Sequence, residues 1–397
     1  MSRQLTILFL LWGLSGSLLS QDTLRTWWDA RASIPREKCP LLIQGEDSLK
    51  HGTYKIWHQN GKLWQRGEYV LGLMEGIWLD YYEDGQLKQK LPFSANKLNG
   101  ILYYYYPDGN LYQEATYIND VLEGPCVLFH TNGQVNEKAQ YSAGLREGLL
   151  SCYHENGLLR FKKHYSRGIE HGPQEIYHEN GKIRERSGKQ SGSYQGEFRG
   201  YYKEYEDGCL QTYCNYKYGK LEGAFRSYYP SGRLQTECIY VQNRIEGEWI
   251  RYFDHLSADS LPVVREKGLY ERGEKSGKWH SFYPTGELYT EGAYLNKTFH
   301  GLWLIYHPSG KLKQQGSYEE GIAHGIFEIH YESGALKNRG NYLENYKEGR
   351  WTTWYESGEK MTEIPFRKGK RHGRALAWDK EGNLMEEINY VEGEEAD

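Results

Sequence analysis

The sequence predicts an all-β protein, an elongated repeat of antiparallel β-hairpins in a meander or solenoid-like sheet, with about 24 residues per repeat. Three observations predict it. Glycines recur at a fixed interval along most of the chain. Asn-Gly, Asp-Gly and Ser-Gly pairs separate runs rich in aromatic residues, as in β-hairpins. No helical periodicity is sustained over a dozen residues downstream of residue 50.

The composition indicates a thin structure whose apolar interior is made of rings. The chain has 397 residues, a mean hydropathy of -0.81, and 36 Tyr, 12 Trp and 11 Phe. Such rings bury a large area while a hydroxyl or indole N–H stays in water. The formal net charge is -4 with both signs interspersed, so the sequence predicts no nucleic-acid partner and argues against membrane association.

Residues 1–20 differ from the rest of the chain. Arg3 precedes an apolar run from Leu5 to Leu14, and small residues follow it. This pattern predicts a signal peptide, and therefore a chain that is exported to the periplasm or secreted. The cleavage position stays open between Ser17 and Ser20, and an uncleaved anchor is the alternative.

The opening glycine of each repeat sets the predicted boundaries. Most intervals are 24 residues; the departures are 28 after Gly172, 23 after Gly200 and 30 after Gly247. The opening glycines are Gly52, Gly76, Gly100, Gly124, Gly148, Gly172, Gly200, Gly223, Gly247, Gly277, Gly301, Gly325, Gly349 and Gly373. Fourteen repeats therefore fill residues 51–393, with insertions near 186–196 and 254–268. Residues 21–50 are a predicted N-terminal cap segment over the first edge strand, and 394–397 an acidic tail.

Within a repeat, fixed residues mark turns and ring-stacking positions. The stretches EGIWLDYYEDGQL and HGLWLIYHPSGKL share these positions, which are Gly76, Trp78, Tyr81 and Gly85 in one and Gly301, Trp303, Tyr306 and Gly310 in the other. The second glycine closes a tight hairpin. The two aromatic positions have opposite parity and should point to opposite faces of a regular strand, unless a bulge or bend intervenes.

Repeats such as EGIWLDYYEDGQL, SGKWHSFYPTGEL and EGRWTTWYESGEK resemble the MORN-repeat variant of bacterial YwqK-family proteins, which are commonly labelled antitoxin-like. The resemblance covers residues 51–393. It implies an elongated antiparallel meander with a binding or scaffolding role, and it supplies no catalytic motif. An export signal conflicts with an antitoxin that neutralises a cytoplasmic toxin.

Histidines at one repeat position raise the possibility of a metal site. His130, His154 and His178 lie six residues after the opening glycine of successive repeats, where other repeats have Tyr. Equivalent residues in a meander are two strand spacings apart, roughly 9.6 Å, which is too far for shared ligation. We therefore expect structural histidines, no metal and no cofactor.

The six cysteines help to distinguish a coiled solenoid from a meander. Cys214 and Cys238 hold the same repeat position. A coiled solenoid would bring them within disulfide range, whereas a meander would leave them as free thiols. The meander is favoured, and the disulfide status stays open.

Catalytic motifs are absent from the sequence. It contains no phosphate-binding loop, no H-E-x-x-H pair and no G-x-S-x-G elbow. We predict that the protein is not an enzyme.

The insertion at 254–268 is the candidate binding loop, because loops on repeat scaffolds often carry recognition. Its candidate residues are Phe253, Asp254, His255, Leu256, Val263, Val264 and Arg265. The insertion at 186–196 is interpreted as a flexible loop.

Together these features predict an exported scaffold that binds another protein. The alternative is a binder of cell-surface carbohydrate or wall polymer through aromatic stacking. Rings exposed in every repeat would favour glycan, whereas one mixed patch near an insertion would favour protein.

Overall fold

The computed structural model describes residues 20–44, 46–204 and 209–396, and within them every regular element is a β-strand. The all-β class and the hairpin meander are confirmed. Most of the predicted signal peptide, residues 1–19, lies outside the described residues. The chain divides into two compact units. The first unit runs through residue 172 and adds 179–181; the second unit comprises 173–178 and the chain from residue 182 onward.

In both units the strands pair antiparallel with their neighbours in the chain, as β4 pairs with β5 and β5 with β6. The strands up to the boundary are β1 Ser20–Trp27, β2 Pro35–Gln44, β3 Asp47–Lys50, β4 Gly52–Trp57, β5 Leu63–Val70, β6 Leu73–Tyr81, β7 Leu87–Ser94, β8 Lys97–Leu98, β9 Gly100–Tyr105, β10 Leu111–Ile118, β11 Val121–Phe129, β12 Val135–Ser142, β13 Leu145–Arg146, β14 Gly148–Tyr153, β15 Leu159–Ser166 and β16 Ile169–Tyr177, which has residues in both units. The remaining strands are β17 Ile183–Gln190, β18 Ser193–Tyr194, β19 Gly196–Tyr201, β20 Leu210–Lys217, β21 Lys220–Leu221, β22 Gly223–Tyr228, β23 Leu234–Val241, β24 Arg244–Leu256, β25 Pro262–Glu271, β26 Glu274–Phe282, β27 Leu288–Leu295, β28 Thr298–Tyr306, β29 Leu312–Glu319, β30 Ile322–Ala323, β31 Gly325–His330, β32 Leu336–Leu343, β33 Tyr346–Trp354, β34 Lys360–Arg367, β35 Lys370–Arg371, β36 Gly373–Trp378, β37 Leu384–Val391 and β38 Glu394–Ala396.

The hairpin turn of each repeat is closed by its second glycine, as the sequence predicts. In the turn after β6, the Gly85 N–H donates to Tyr82 O at 2.9 Å, and Gly85 has a φ of 92°. The Asp84 carboxylate accepts the Gln86 N–H at 2.9 Å. The acidic or amide residue therefore caps the turn, and the glycine supplies the left-handed conformation.

A second turn joins consecutive repeats and has two residues. At Leu71 and Gly72 both φ angles are positive, 52° and 82°, which is the type I′ geometry of a two-residue hairpin. The Gly72 N–H also donates to Lys50 O of the preceding repeat at 2.8 Å. Each type I′ turn is therefore tied to the repeat before it.

The interior is a row of side chains that runs across the strands on one face of the meander. We call the residue two after the opening glycine the ring position and its neighbour on the preceding strand the gap position. Where the ring position holds Trp78, Trp279 or Trp303, the gap position holds Gly67, Gly268 or Gly292. Where it holds Leu150, the gap position holds Ala139, and both pack in one cluster. Along the row, a large side chain at the ring position is therefore matched by a small residue at the gap position.

The two fixed aromatic positions of a repeat lie on opposite faces of the strand, as their opposite parity predicts. Trp78 packs against Tyr69 and Phe93, with ring centroids 5.0 and 6.1 Å away. Tyr306 instead donates its hydroxyl to Glu291, which pairs with the residue beside Trp303 in the strand. A β-bulge does occur in this hairpin type, between Asp80 and Tyr81 in the register.

One repeat boundary differs from the sequence alignment. Gly196, with a φ of 78°, pairs with Tyr216 as other opening glycines pair with their tyrosines, whereas Gly200 lies inside β19. The interval after Gly172 is therefore regular. Residues 186–196 form the end of β17, a tight turn and the start of the next strands rather than a flexible loop. The extra residues fall instead between Tyr201, where β19 ends, and Leu210, where β20 begins.

The two ends of the repeat array also have regular structure. β1 and β2 form a hairpin, and β2 pairs onward with β3 and β4. Cys39 of β2 occupies the gap position beneath Tyr54, so the cap segment is one more, divergent repeat. In the acidic tail, residues 394–396 form β38 and pair with β37.

Candidate interaction surfaces

Most tryptophans of the repeats are structural. Trp78, Trp279 and Trp351 are 1%, 3% and 7% exposed. Among the described residues, the clearly exposed tryptophans cluster near the N-terminal end, at Trp27, Trp28 and Trp64. Rings exposed in every repeat, which would favour glycan binding along the whole array, are therefore not found in the described part of the chain.

Four of the histidines six residues after the opening glycine, His58, His130, His178 and His307, belong to a hydrogen-bond ladder. The Nε2 of His154, at the same position, is buried without a hydrogen-bond partner. At this ladder position Nε2 of His58 or His130, or the hydroxyl of Tyr82, meets the carbonyl oxygen at the end of the first strand of the next repeat, at 3.2, 3.1 and 2.7 Å. Tyr and His are interchangeable here because each donates one hydrogen across the same gap. Within the described residues no group of three or more metal-ligating side chains is found.

All six cysteines are free thiols, as a meander predicts. Cys214 and Cys238 lie in the gap position of two repeats, under the rings of Phe225 and Trp249 in the row. Burial raises the pKa of Cys152, Cys214 and Cys238 to about 11. These thiols are therefore packing groups and poor nucleophiles at neutral pH.

Several tyrosines resist ionisation. Burial, followed by a nearby carboxylate, raises the pKa of Tyr177, Tyr194 and Tyr306 to about 12. The Tyr194 hydroxyl donates to Glu185, whose carboxylate also accepts Gln174 and Ser187. Each of these tyrosine hydroxyls therefore donates a partly buried hydrogen bond to a carboxylate.

The predicted binding loop is an extended hairpin. β24 and β25 continue past the normal turn, with pairing out to Leu256 and Pro262, and Ser260 takes the positive φ of 62° that glycine takes elsewhere. The hairpin turns on both sides of this extended hairpin make hydrogen bonds to it. Asp254 accepts the Ser231 hydroxyl and lies 3.5 Å from Arg233, and His255 Nε2 donates to Pro284 O at 2.6 Å.

The seven predicted loop residues have different environments. Val263 is 6% exposed and packs inward, while Phe253 lies between His255 and Arg265, at 5.4 Å from the His255 ring and 5.7 Å from the guanidinium. Leu256 is exposed and Val264 half-buried. Leu261 at the tip was not predicted, although it is 63% exposed. The sequence feature that could have indicated Leu261 is a leucine between Ser260 and Pro262 in a polar turn.

A second apolar surface lies along the type I′ turns of the first unit. Its members flank these turns on both sides and are 41% to 53% exposed. We call them the turn-edge strip: Val70, Leu73, Ile118, Val121, Leu145 and Ile169. Leu145 Cδ2 lies 3.5 Å from where a Cβ of Gly168 would stand, so the strip continues over the turn of the next repeat.

The fold does not require aliphatic residues at these positions. The same positions in the second unit hold charged pairs at several turns, including Lys217 with Lys220 and Glu271 with Glu274. In the first unit, the charged residues at these positions are Asp47 and Lys97. The repeat pattern does not indicate this strip, because its residues lie outside the fixed positions of the repeat.

Nine segments of the chain match the family model described as the MORN repeat variant: residues 50–70, 74–95, 98–119, 122–143, 170–187, 221–242, 299–320, 347–368 and 371–392. These nine segments are similar to the MORN repeat variant. No curated protein matches it. No helix among the described residues is long and apolar enough to cross a membrane.

Solved structures that contain TcdB2-TccC3 are similar to this chain over most of its length. A chain of the TcdB2-TccC3-Cdc42 structure is 8% identical, with 92% of this chain and 27% of that chain covered and a TM-score of 0.13. For TcdB2-TccC3 without its hypervariable C-terminal region the identity is 11%, the coverage 90% and 23%, and the TM-score 0.15. The chain spans about a quarter of the length of these chains.

Proposed function

We propose that this chain is an exported, non-enzymatic scaffold that binds another protein through the turn-edge strip. The observation that carries the proposal is the strip itself. The second unit has charged pairs at some of these positions, as at Lys217 with Lys220, so folding does not require the exposed aliphatic side chains of the strip. Other turns of the second unit keep exposed apolar residues, as at Leu343 and Tyr346. Exposed apolar patches of this kind characterise protein-binding surfaces.

MORN-variant repeats support the same reading, since repeat arrays present extended surfaces and depend on neighbouring repeats for stability. Ladder hydrogen bonds and turn-to-turn hydrogen bonds hold consecutive repeats together. The strip is therefore displayed on a stiff support, which lowers the entropy cost of binding.

The test is affinity capture from the chain's own host, compared across matched variants. Ile118→Lys with Val121→Lys places two charges beside one turn of the strip. Leu343→Lys with Tyr346→Lys does the same at the equivalent positions of the second unit. We expect a discrete partner that the first variant loses and the control retains. Equal capture by both variants would remove the strip from the proposal.

The antitoxin role implied by the YwqK resemblance is a narrower form of this proposal, in which the bound protein is a toxin. It conflicts with export, because an exported chain does not meet a cytoplasmic toxin. Fractionation of cells that express the natural gene separates the two. Recovery from the periplasm or medium supports the exported scaffold, and recovery from the cytoplasm overturns export.

A further inference from the structure

A cleft near the N-terminal end brings two exposed indoles together. It has a volume of about 510 Å³ and is lined by Trp28, His58, Gln59, Asn60, Trp64 and Glu83. The lining comes from the loop after β1, from the hairpin turns of the next two repeats and, for Trp64, from the start of β5. Trp28 is 37% and Trp64 44% exposed.

Trp28 is larger than its structural role requires. It occupies the ladder position of the divergent first repeat, and its Nε1–H donates to Trp57 O at 2.9 Å. His or Tyr makes the same bond in later repeats, as at His58 and Tyr82. The indole therefore has more ring surface than this bond needs, of which the Arg36 guanidinium covers part.

Trp64 also exceeds the needs of the fold. Its indole stacks on His58, with centroids 5.7 Å apart and an interplanar angle of 29°. In two other repeats a smaller ring, Tyr112 or Tyr289, contacts the ladder residue from the same position. Neither of those sites is lined by a second tryptophan in the described structure. The pair of indoles therefore distinguishes this cleft from the equivalent sites in those two repeats.

The cleft is held in shape before any ligand binds. Asp29 accepts the Ser33 hydroxyl and the Ile34 N–H, which closes the loop that carries Trp28. Asn60 accepts the Lys62 N–H at 2.9 Å and donates to Glu83 O at 2.8 Å. The loop that carries Trp28 and the turn that carries Asn60 are therefore held before binding, which lowers the ordering cost of binding.

The polar groups at the rim suit a neutral ligand. Gln59 and Glu83 are exposed and offer an amide and a carboxylate. The Arg36 guanidinium lies 5.0 Å from the Trp28 ring centroid, so a cation already occupies the attractive field of that ring. A cationic ligand would meet repulsion from Arg36, and an anionic one repulsion from Glu83.

We infer that this cleft binds a saccharide, with pyranose rings stacked on Trp28 and Trp64 and hydroxyls hydrogen-bonded by Gln59 and Glu83. The negatively polarised face of an indole attracts the C–H groups on the flat side of a sugar ring. Flat rings beside a few convergent polar groups match the pattern of small-ligand sites. This site is independent of the turn-edge strip and of protein binding.

The probes are cellohexaose, chitohexaose and mannohexaose, titrated separately into the full chain and followed by tryptophan fluorescence and calorimetry. We expect saturable binding of at least one probe. Trp28→Ala and Trp64→Ala should each weaken it at least about fivefold, given the usual contribution of one ring contact. Tyr289→Ala, at the same repeat position as Trp64, and Trp27→Ala, an exposed indole that does not line the cleft, should leave the affinity unchanged.

Glu83→Ala provides a variant that leaves both rings in place, and it should also weaken binding. Circular dichroism identifies any variant that fails to fold. If a tryptophan variant does not fold, the affinity of Glu83→Ala is used as the test instead. The inference is overturned if none of the three probes binds, or if binding survives the tryptophan and Glu83 variants. It is equally overturned if a proline-rich peptide binds the cleft and the saccharides do not.

Discussion

The indole of Trp78 lies directly over Gly67, where a Cβ would stand 2.1 Å from the ring atom Cδ2. The same relationship recurs where Trp279 covers Gly268 and where Phe327 covers Gly316, at 2.2 and 2.1 Å. These glycines have no positive φ. They are required because a ring occupies the space of their side chain, and not because of their backbone conformation.

Gly67→Ala should therefore destabilise the protein by overpacking, by about 1–3 kcal/mol. The matched control is Gly200→Ala, a strand glycine whose Cβ would meet Phe198 at an ordinary 3.4 Å. Urea denaturation followed by circular dichroism measures both. Adding Trp78→Leu to Gly67→Ala recreates the Ala139 and Leu150 pair and should recover part of the loss. Equal midpoints for the two alanine variants would contradict this packing rule.

The Tyr331 hydroxyl donates to Trp354 O at 2.9 Å, so Tyr331→Phe should lower the free energy of unfolding by about 1 kcal/mol. Tyr331→His should cost less, because His307 makes the equivalent bond at 3.1 Å. Tyr218→Phe, at a 75% exposed tyrosine, is the control. Urea midpoints rank the variants, and a histidine variant no better than phenylalanine would argue against the ladder.

Thiol labelling should proceed in two stages. Cys209 is half-buried, whereas the other cysteines are buried and burial raises the pKa of Cys126, Cys152, Cys214 and Cys238. At pH 8 we expect iodoacetamide to modify Cys209 first in the native chain and all six after denaturation. Mass spectrometry counts the labels. Fewer than six labels on the denatured, unreduced chain would indicate a disulfide.

Stability should fall above pH 10. Burial and neighbouring carboxylates raise the pKa of Tyr177, Tyr194 and Tyr306 to about 12 in the folded chain, while tyrosine in an unfolded chain titrates near about 10. Between these values the unfolded state has released protons that the folded state retains, so rising pH favours unfolding. Thermal melts from pH 7 to 11 test this, and a melting temperature that stays level above pH 10 would contradict it.

The extended hairpin should be dispensable for folding. Replacing residues 253–263 by the five residues 307–311 would restore the normal turn, since Tyr252 pairs with Val264 as Tyr306 pairs with Leu312. We expect a cooperative thermal transition with a similar midpoint. Loss of cooperative unfolding would show that the anchoring of Asp254 and His255 supports the neighbouring turns.

The sequence alone predicted the hairpin meander, because its turns depend on local chemistry. Gly85 and Asp84 close a hairpin through their own backbone and side chain, and the pattern recurs often enough to exclude chance. Fixed aromatic spacing likewise predicted stacked rings. The position of one insertion was misassigned, since Gly196 and Gly200 both fit the opening-glycine pattern and strand pairing alone separates them.

Surfaces could not be predicted in the same way. Whether Trp28 or Trp78 is exposed depends on which residues cover it, and those belong to neighbouring strands and turns. The turn-edge strip and the indole cleft likewise arise from residues more than one repeat apart in the chain. The sequence determined the repeat and its turns because these are local; the tertiary structure decided which side chains face solvent, because burial is a property of the assembled strands.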